Sequence, residues 1–288
     1  MAMSLEELKS MKQKCERIAK LGYFVIVISF ILFIPMGISL GIGGAFVMAA
    51  LFMGGGVMTV IAFNNFKKLS VHFKNAFLPE IIEKIYPGSQ YYPENGFQKE
   101  DVYATKLLRK SDRYYSEDYL SGTYQSIPFE SADCKLQNVH HNGKTTTVVT
   151  VFLGRVYRFE FPRNFATEMI LIQPGIAQKW GYGEYNKIDT ESVEFNGGFL
   201  VFARDEIGAY KILLPQFMEK LMTLDVNYHD KIALSFMKST LNVAINNNID
   251  TMDLKMFKPI DEEFFRQFEH ELNDVASIID ILGEDHIS

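Results

Sequence analysis

The sequence predicts an α+β protein: an N-terminal two-helix transmembrane hairpin followed by a cytoplasmic antiparallel-sheet domain with flanking helices. The hairpin is predicted by residues 21–66, a run of 46 residues without a charged side chain. The sheet is predicted by stretches beyond residue 138 in which apolar and polar residues alternate with the period of a half-buried strand. Helical patterns lie between and after these strands, so we expect helices to pack against the sheet.

The uncharged run is long enough for two membrane crossings. A bilayer core of about 30 Å requires roughly 20 apolar residues per helical crossing. The middle of the run contains residues that disfavour a continuous helix, namely Pro35, Gly37, Gly41, Gly43 and Gly44. We therefore predict one arm over residues 21–39 and a second over residues 43–63. Each should be helical throughout, because lipid offers the backbone no hydrogen-bond partners.

A cleaved secretory signal is the main alternative for the first arm. Such a signal has an apolar core of about 7 to 15 residues and a small-residue cleavage site. The run is longer than that, contains no such site and follows a charged helical segment of twenty residues. The hairpin is therefore the preferred interpretation.

Small residues recur at four-residue spacing in the second arm. Gly41, Ala45 and Ala49 form one series, and Ala50 and Gly54 form another. A stripe of this kind lets two membrane helices approach closely. Its partner is either the first arm, which is the simpler alternative, or another membrane protein. The sequence is also compatible with a homo-oligomer, for which it indicates no particular surface.

Basic residues flank the run on both sides and predict its orientation. Lys9, Lys12, Lys14, Arg17 and Lys20 precede it, and Lys67, Lys68 and Lys74 follow it. The turn between the arms has neither Lys nor Arg, so the positive-inside rule places both termini on the cytoplasmic side of the plasma membrane. The two cysteines, Cys15 and Cys134, form no disulfide framework, as expected in a reducing compartment.

The net charge of −6 is divided unevenly along the chain. Residues 1–68 carry seven Lys and Arg against three Asp and Glu (+4), and the remainder carries 22 against 32 (−10). An acidic soluble part disfavours nucleic acid as a partner, because nucleic acid binds to basic surfaces.

The predicted organisation is an amphipathic helix (1–20), the hairpin (21–66), a juxtamembrane helix and linker (67–97) and the cytoplasmic α+β domain (98–288).

Apolar stripes run along the two helices that continue the hairpin outside the membrane. The leading helix offers Leu5, Leu8, Met11, Cys15 and Ile18, and the following helix offers Leu69, Phe73, Phe77, Ile81 and Ile85. Their helical spacing predicts that the stripes pack on each other as a short antiparallel stalk.

A loop (86–97) and a short helix (99–108) should precede the sheet. Strands are predicted on both sides of Asn142-Gly143, along Tyr157, Phe159 and Phe161, at 169–172, 192–195 and 199–202, and in a hairpin turning near Ser239. Helices are predicted from an Asp205 cap to 213, from Pro215 to 224, and from 261 to a stop at Gly283.

Candidate metal ligands are scattered. His140 and His141 are neighbours on a predicted strand and point to opposite faces, while His72, His229, His270 and His286 lie in different segments. His270-Glu271 begins like a zinc-protease helix, but Asp274 stands where a second histidine is required. No metal site is predicted, because zinc needs three or four converging ligands.

Other motifs have ordinary structural interpretations beside functional ones. Gly41, Gly43 and Gly44 lack the strand and lysine of a nucleotide loop, and Cys134 lacks the context of an activated nucleophile. The aromatic turn at 180–183 (Trp180, Gly181, Tyr182, Gly183) is either a packed loop or a ligand contact. The run Ser116, Glu117, Asp118 and Tyr119 is either a capped turn or a ligand site. No catalytic, cofactor-binding or metal-binding residue is predicted.

Several segments together resemble a bacterial family, domain-of-unknown-function family 3137. The matching residues are Glu117, Asp118, Tyr119, Gly122, Phe152, Gly154, Tyr157, Val193, Glu194, Phe195, Phe199, Phe202, Ala209, Tyr210, Leu214, Pro215, Phe217 and Met218. The resemblance covers roughly residues 70–250 and includes the preceding hairpin. It implies a membrane-tethered domain of unassigned activity, transfers no catalytic residue, and hints at a membrane complex with small LemA-type proteins.

The sequence thus predicts a membrane-anchored cytoplasmic domain that binds a protein partner or organises a membrane complex, and disfavours an enzyme. One alternative is a membrane-tethered enzyme whose site is assembled from distant residues, for which a pocket with converging ionisable groups would be the sign. Another is a lipid-binding or small-ligand module, for which an apolar cavity would be the sign.

Overall fold

The computed structural model describes residues 3–176, 183–228, 231–248 and 252–282. The chain forms two compact units. The helical unit contains the residues up to Glu80 together with Asp253–Arg266, which we call the return segment. The sheet unit contains Ile81–Met252 and the residues from Gln267 onward.

A long apolar helix, α1 (Leu5–Ala76), forms most of the helical unit. Ser4 caps it in a reciprocal capping box with Glu7, which satisfies backbone donors at its first turn. Gly41 has φ 62° and ψ −149°, values outside the helical region that divide α1 into two helical parts. The helix is long and apolar enough to cross a membrane, with a window of mean hydropathy 2.6 of which only 6% is buried.

The stripes predicted for the stalk differ from the buried faces of the helices. Leu8 and Cys15 are buried as predicted, but Met11 is 49% exposed and Lys12 takes its place at 4% exposure. A second helix, α2 (Leu78–Ile85), begins after the end of α1 at Phe77. This break shifts the helical phase, so the buried residues beyond it are Leu78, Ile82 and Tyr86 rather than Phe77, Ile81 and Ile85.

The return segment contacts both ends of α1. Near the N-terminus, Lys12 pairs with Glu16 and donates to the carbonyl of Lys258 at 2.6 Å, and Glu16 accepts from the backbone N–H of Phe257 at 3.0 Å. Near the C-terminus, Lys74 pairs with Asp253 at 2.9 Å, and Ser70 donates to the same carboxylate at 3.0 Å. No sequence pattern predicted that residues so distant along the chain pack with α1.

The sheet unit is built on a nine-stranded sheet in which every strand pair is antiparallel, with the order β1-β2-β3-β4-β9-β8-β5-β7-β6. The strands are β1 (Gln90–Tyr92), β2 (Arg113–Tyr124), β3 (Ile127–His141), β4 (Thr146–Glu160), β5 (Met169–Ile172), β6 (Asn186–Ile188), β7 (Leu200–Ala203), β8 (Lys231–Met237) and β9 (Thr240–Asn246). The predicted α+β class with an antiparallel sheet is confirmed, whereas the N-terminal region is one long apolar helix interrupted at Gly41.

Helices cover the sheet and fill the connections. They are α3 (Lys99–Ala104), α4 (Val193–Gly198), α5 (Glu206–Ile212), α6 (Pro215–Tyr228) and α7 (Glu262–Leu282). The Asp205 carboxylate caps α5 by accepting from the N–H of Gly208 at 2.6 Å, and Pro215 opens α6, as predicted. The α7 helix buries Phe268, Leu272, Val275, Ile278 and Ile279, and its predicted stop at Gly283 lies outside the described residues.

Two sequence interpretations of strand segments were wrong. Residues 192–195 form the cap and first turn of α4 rather than a strand, because the Ser192 hydroxyl accepts from the N–H of Phe195 at 3.2 Å. Residues 116–119 lie inside the long strand β2 rather than in an isolated turn. The Ser116 hydroxyl does bond backbone groups, accepting from the N–H of Phe97 and donating to the carbonyl of Asp133, whereas the Asp118 carboxylate accepts from the hydroxyl of Tyr91.

Candidate functional site

A buried group of charged and polar side chains spans the first four strands of the sheet. We call it the ion cluster, and its members are Tyr91, Asp118, Ser131, Asp133 and Arg155. The Arg155 guanidinium donates to Asp133 Oδ1 at 2.8 Å, to Ser131 Oγ at 3.2 Å and to the carbonyl of Asp118 at 2.9 Å. The hydroxyl of Tyr91 donates to the Asp118 carboxylate. Asp118 and Ser131 are fully buried, and Arg155 is 5% exposed.

A β-bulge in β2 brings Asp118 into the cluster. The register between β2 and β3 shifts between Glu117 and Leu120, and Asp118 adopts φ 59°. Aspartate is among the few residues that tolerate this left-handed conformation. The loop before α3 is hydrogen-bonded to the bulge. The N–H of Asp118 donates to the carbonyl of Pro93 at 3.1 Å, and the N–H of Tyr119 donates to the carbonyl of Asn95 at 3.0 Å.

A second layer of contacts lies beside the ion cluster. The hydroxyl of Ser116 donates to the carbonyl of Asp133 at 2.8 Å and accepts from the N–H of Phe97 at 3.0 Å. Tyr114 donates to the carbonyl of Phe97 at 2.9 Å. A Cβ on Gly96 would lie 2.3 Å from Ser116 Oγ, so only glycine permits this approach of the loop to β2.

The electrostatics of the ion cluster indicate a structural role. The buried guanidinium of Arg155 donates to one carboxylate, one hydroxyl and one backbone carbonyl, which is how buried charges are stabilised in protein interiors. Burial and the neighbouring Asp118 carboxylate raise the pKa of Tyr91 far above its ordinary value, so Tyr91 keeps the proton that it donates. The cluster holds the bulge and the adjoining loop in one conformation.

Cys134, on β3 next to Asp133, is a buried and unreactive thiol. It is 1% exposed, and burial raises its pKa to about 11 from an ordinary value of 9.0. The thiolate is the nucleophilic form, so this environment excludes an activated nucleophile. We expect maleimide to leave Cys134 unlabelled at pH 7 in the folded protein and to label it in urea.

The same pKa difference affects stability at alkaline pH. The pKa of Cys134 is higher in the folded protein than in the unfolded chain, so burial of the neutral thiol contributes to the stability of the fold. This contribution is complete below about pH 9 and is lost as the pH rises toward about 11. Rapid labelling of Cys134 in the native protein at pH 7 would contradict this assignment.

An open cleft of about 770 Å³ lies near α3 and is lined by residues that include Lys99, Glu100, Lys110 and Asp112. Lys99 and Glu100 are an exposed pair 3.7 Å apart, and the Asp112 carboxylate accepts from the N–H of Val139 at 2.7 Å. Lys99, Glu100 and Asp112 thus pair with a close neighbour or with the backbone rather than converging on a common point. The cleft therefore identifies no catalytic set.

The histidines that the sequence analysis considered are separated in the fold. His140 and His141 are exposed at the end of β3, and His141 Nδ1 lies 2.9 Å from Thr146 Oγ1. His270 is 3.9 Å from Asp274 Oδ1, while the other oxygen of Asp274 accepts from Tyr157 at 2.9 Å. Within the described residues, no three or more His, Cys, Asp or Glu side chains form a group able to hold a metal. His229, His286 and the Trp180–Tyr182 part of the aromatic turn lie outside the described residues.

Sequence reasoning identified Asp118 but missed the rest of the ion cluster. Tyr91, Ser131, Asp133 and Arg155 come from three other strands, and their proximity depends on the register of the sheet. One sequence signal could have indicated the cluster. Arg155 lies in the centre of an apolar strand that includes Phe152 and Tyr157, and a buried arginine requires carboxylate partners.

Comparison with known proteins confirms the family resemblance. Residues 150–284 match the model of the family described as "Protein of unknown function (DUF3137)". The match begins at β4, so the resemblance that the sequence suggested for Glu117, Asp118, Tyr119 and Gly122 lies outside it. No curated protein matches the sequence. Among solved structures, the crystal structure of the mycobacterial trehalose monomycolate transport factor A, TtfA, is similar at 10% identity and a TM-score of 0.40, covering 70% of this chain and 91% of that one.

Proposed function

We propose that this chain, which carries a DUF3137 segment over residues 150–284, is a membrane-anchored cytoplasmic domain that binds a protein partner or organises a membrane complex. The observation that carries the proposal is the exposed apolar surface of α1. Phe30, Ile38 and Ile42 are 75%, 80% and 78% exposed. Apolar surface of this extent is stable in lipid but not in water.

We propose further that α1 enters the membrane as a hairpin with its turn at Gly41. A Cβ on Gly22 would lie 2.9 Å from the carbonyl oxygen of Gly55 and 2.4 Å from Thr59 Oγ1. In an uninterrupted helix, residues 22 and 55 would be about 50 Å apart, so their approach favours two antiparallel arms. Glycines at such a crossing allow helices in lipid to pack closely.

The orientation that we propose places both termini in the cytoplasm and makes the chain a two-pass protein of the plasma membrane. Lys14, Arg17, Lys20, Lys67 and Lys68 are exposed beside the apolar part of α1. Basic residues in these positions remain on the cytoplasmic side and contact anionic headgroups. The Gly41 turn has no basic residue, which is typical of a turn that has been translocated.

The partner that we propose is another membrane protein, of the small LemA type suggested by the family resemblance. An acidic sheet unit supports a protein partner rather than nucleic acid. Among the described residues, the buried charged side chains of the sheet unit belong to the ion cluster or to the Tyr157–Asp274 contact, where they stabilise the fold. This arrangement favours a binding role over catalysis.

Membrane attachment and topology can be tested in one set of cells. We expect the chain to stay in the membrane fraction after alkaline carbonate washing, and a chain lacking residues 21–66 to be released. For topology, the reporter should be Asn142→Cys in the exposed turn between β3 and β4, because Cys134 is buried. A membrane-impermeant maleimide should label this variant only after the cells are permeabilised. Recovery of the intact chain in the soluble fraction, or labelling in intact cells, would contradict the proposal.

The partner is tested by affinity capture of the intact chain from detergent at native expression. We expect a membrane protein to be recovered with it in a fixed ratio, and to be lost when residues 21–66 are removed or the sheet unit is deleted. A chain that is recovered alone would contradict the scaffold role while leaving the membrane attachment intact.

A further inference from the structure

The hairpin of β3 and β4 extends beyond the rest of the sheet. Residues 138–151 form this extension, which we call the arm. The β2 strand pairs with β3 only as far as Gln137, and β9 pairs with β4 only from Arg155. Residues 146–151 are all exposed, with Val148, Val149 and Val151 at 39%, 42% and 37%. The arm therefore presents side chains on both faces and strand edges on both sides.

The two edges of the arm differ. On the β3 side, the Asp112 carboxylate accepts from the N–H of Val139 at 2.7 Å and places a charge against that edge. On the β4 side, Asn246 and Asn248 bond the backbone of Leu153, and among the described residues no strand lies alongside 146–151. As far as the described residues go, the β4 edge is consequently open along 146–151, whereas the β3 edge is occupied at Val139.

The open edge also differs from the outer edges of the sheet. The terminal strands β1 and β6 contain three residues each, and short edge strands offer little to a pairing chain. Residues 146–151 have the sequence TTVVTV, which is entirely β-branched and uncharged. Such residues have high strand propensity, and the charges that normally protect an edge are missing.

We propose that residues 146–151 pair antiparallel with the same residues of a second copy of this chain, which joins two sheets across a two-fold axis. Self-pairing is favoured by the composition of the edge. With Val149 opposite itself on the two-fold axis, every cross-strand pair within the segment is valine or threonine on both sides. β-branched pairs of this kind stabilise a sheet, and this register brings no like charges together.

A single pair of six-residue strands buries a small interface, so the dimer is weak in dilute solution. Anchoring in a membrane would raise the local concentration of the two copies and favour pairing. The pairing itself is a property of the sheet unit and does not depend on the membrane attachment proposed above.

The test uses the full chain in detergent, with its protein mass measured by light scattering over a range of concentrations. We expect a concentration-dependent dimer. Val149→Lys should raise its dissociation constant at least about tenfold, because two lysines would face each other across the axis. Val193→Lys is the matched control, since Val193 is 87% exposed on α4 and away from the arm.

A second measurement locates the contact. A short bismaleimide should link two copies through Val149→Cys but not through Val193→Cys, and the buried Cys15 and Cys134 should contribute little background. Unchanged circular dichroism of the variants would show that they fold. A monomer at all concentrations, a dimer insensitive to Val149→Lys, or pairing of the arm only with an unlike chain would overturn the proposal. None of these results would bear on whether α1 is in the membrane.

Discussion

Replacing Arg155 with methionine is expected to destabilise the sheet unit by about 3–5 kcal/mol, the usual cost of breaking a buried ion pair from one side. Methionine fills similar space but leaves the buried Asp133 carboxylate without its 2.8 Å partner. It also removes the bond to the carbonyl of Asp118 in the bulge. Hydrogen–deuterium exchange of the full chain in detergent should show amide exchange in β3 and β4 faster by about a hundredfold or more.

Arg158→Met is the matched control, because Arg158 lies on the same strand three residues away. Its ion pair with Glu130 has a distance of 3.4 Å and side chains 31% and 39% exposed, so the expected loss is below about 1 kcal/mol. Adding Asp133→Asn to Arg155→Met should recover part of the stability, since no unpaired charge then remains at that position. Equal losses for Arg155→Met and Arg158→Met would show that the ion cluster is not what stabilises the sheet.

Gly154→Ala is expected to destabilise the sheet unit by about 3 kcal/mol or more, at the upper end of the range for overpacking. A Cβ at this position would lie 2.0 Å from the carbonyl oxygen of Ile245 on β9. The obstructing atom belongs to the backbone of a central strand, so no side-chain rotation relieves the contact. The midpoint of urea unfolding, measured by circular dichroism, should fall and the yield of folded protein should drop.

The control for this substitution is Gly197→Ala in α4, where a Cβ would meet nothing within 4 Å. Alanine has the higher helix propensity, so this variant should be neutral or slightly more stable. If Gly154→Ala unfolded at the same urea concentration as the native chain, the β4–β9 pairing would have to differ from that described here.

Elements defined by local chemistry were predictable from the sequence. Asp205 and Pro215 mark the starts of α5 and α6 because capping and proline geometry depend on a few adjacent residues. The Asn142-Gly143 turn joins β3 and β4, with Gly143 at φ 70°, for the same reason. These signals do not depend on which segments meet in the folded chain.

The elements that were missed depend on tertiary structure. The β2 strand was missed because two of its more buried positions are not apolar ones: Ser116 and the fully buried Asp118 stand where an apolar–polar alternation would have apolar residues. Ser192 was placed in a strand because it precedes apolar Val193 and Phe195, although it acts as a helix cap. Burial of Lys12 instead of Met11 results from contacts with residues about 250 positions away, including the carbonyl of Lys258.

The same explanation applies to the candidate site. The sequence indicated that Ser116 or Asp118 could bond backbone N–H groups. In the structure the Ser116 hydroxyl accepts from the N–H of Phe97, and the Asp118 carboxylate accepts from a side chain, that of Tyr91. The association of Asp118 with Arg155 and Asp133 is set by the pairing of β2, β3 and β4. The spacing of these three residues in the sequence does not predict it.

Because the return segment packs on α1, this helix is part of the folded helical unit rather than a removable tether. Asp253 pairs with Lys74 of α1, and the ring of Phe264, in the first turn of α7, contacts the ring of Phe73 of α1. A chain shortened to begin at Ile81 would lack both of these partners. Preparations for studies of the sheet unit should therefore retain α1 and contain detergent. A truncated chain would lose the apolar helix but would expose the apolar side chains of the return segment, which favours aggregation.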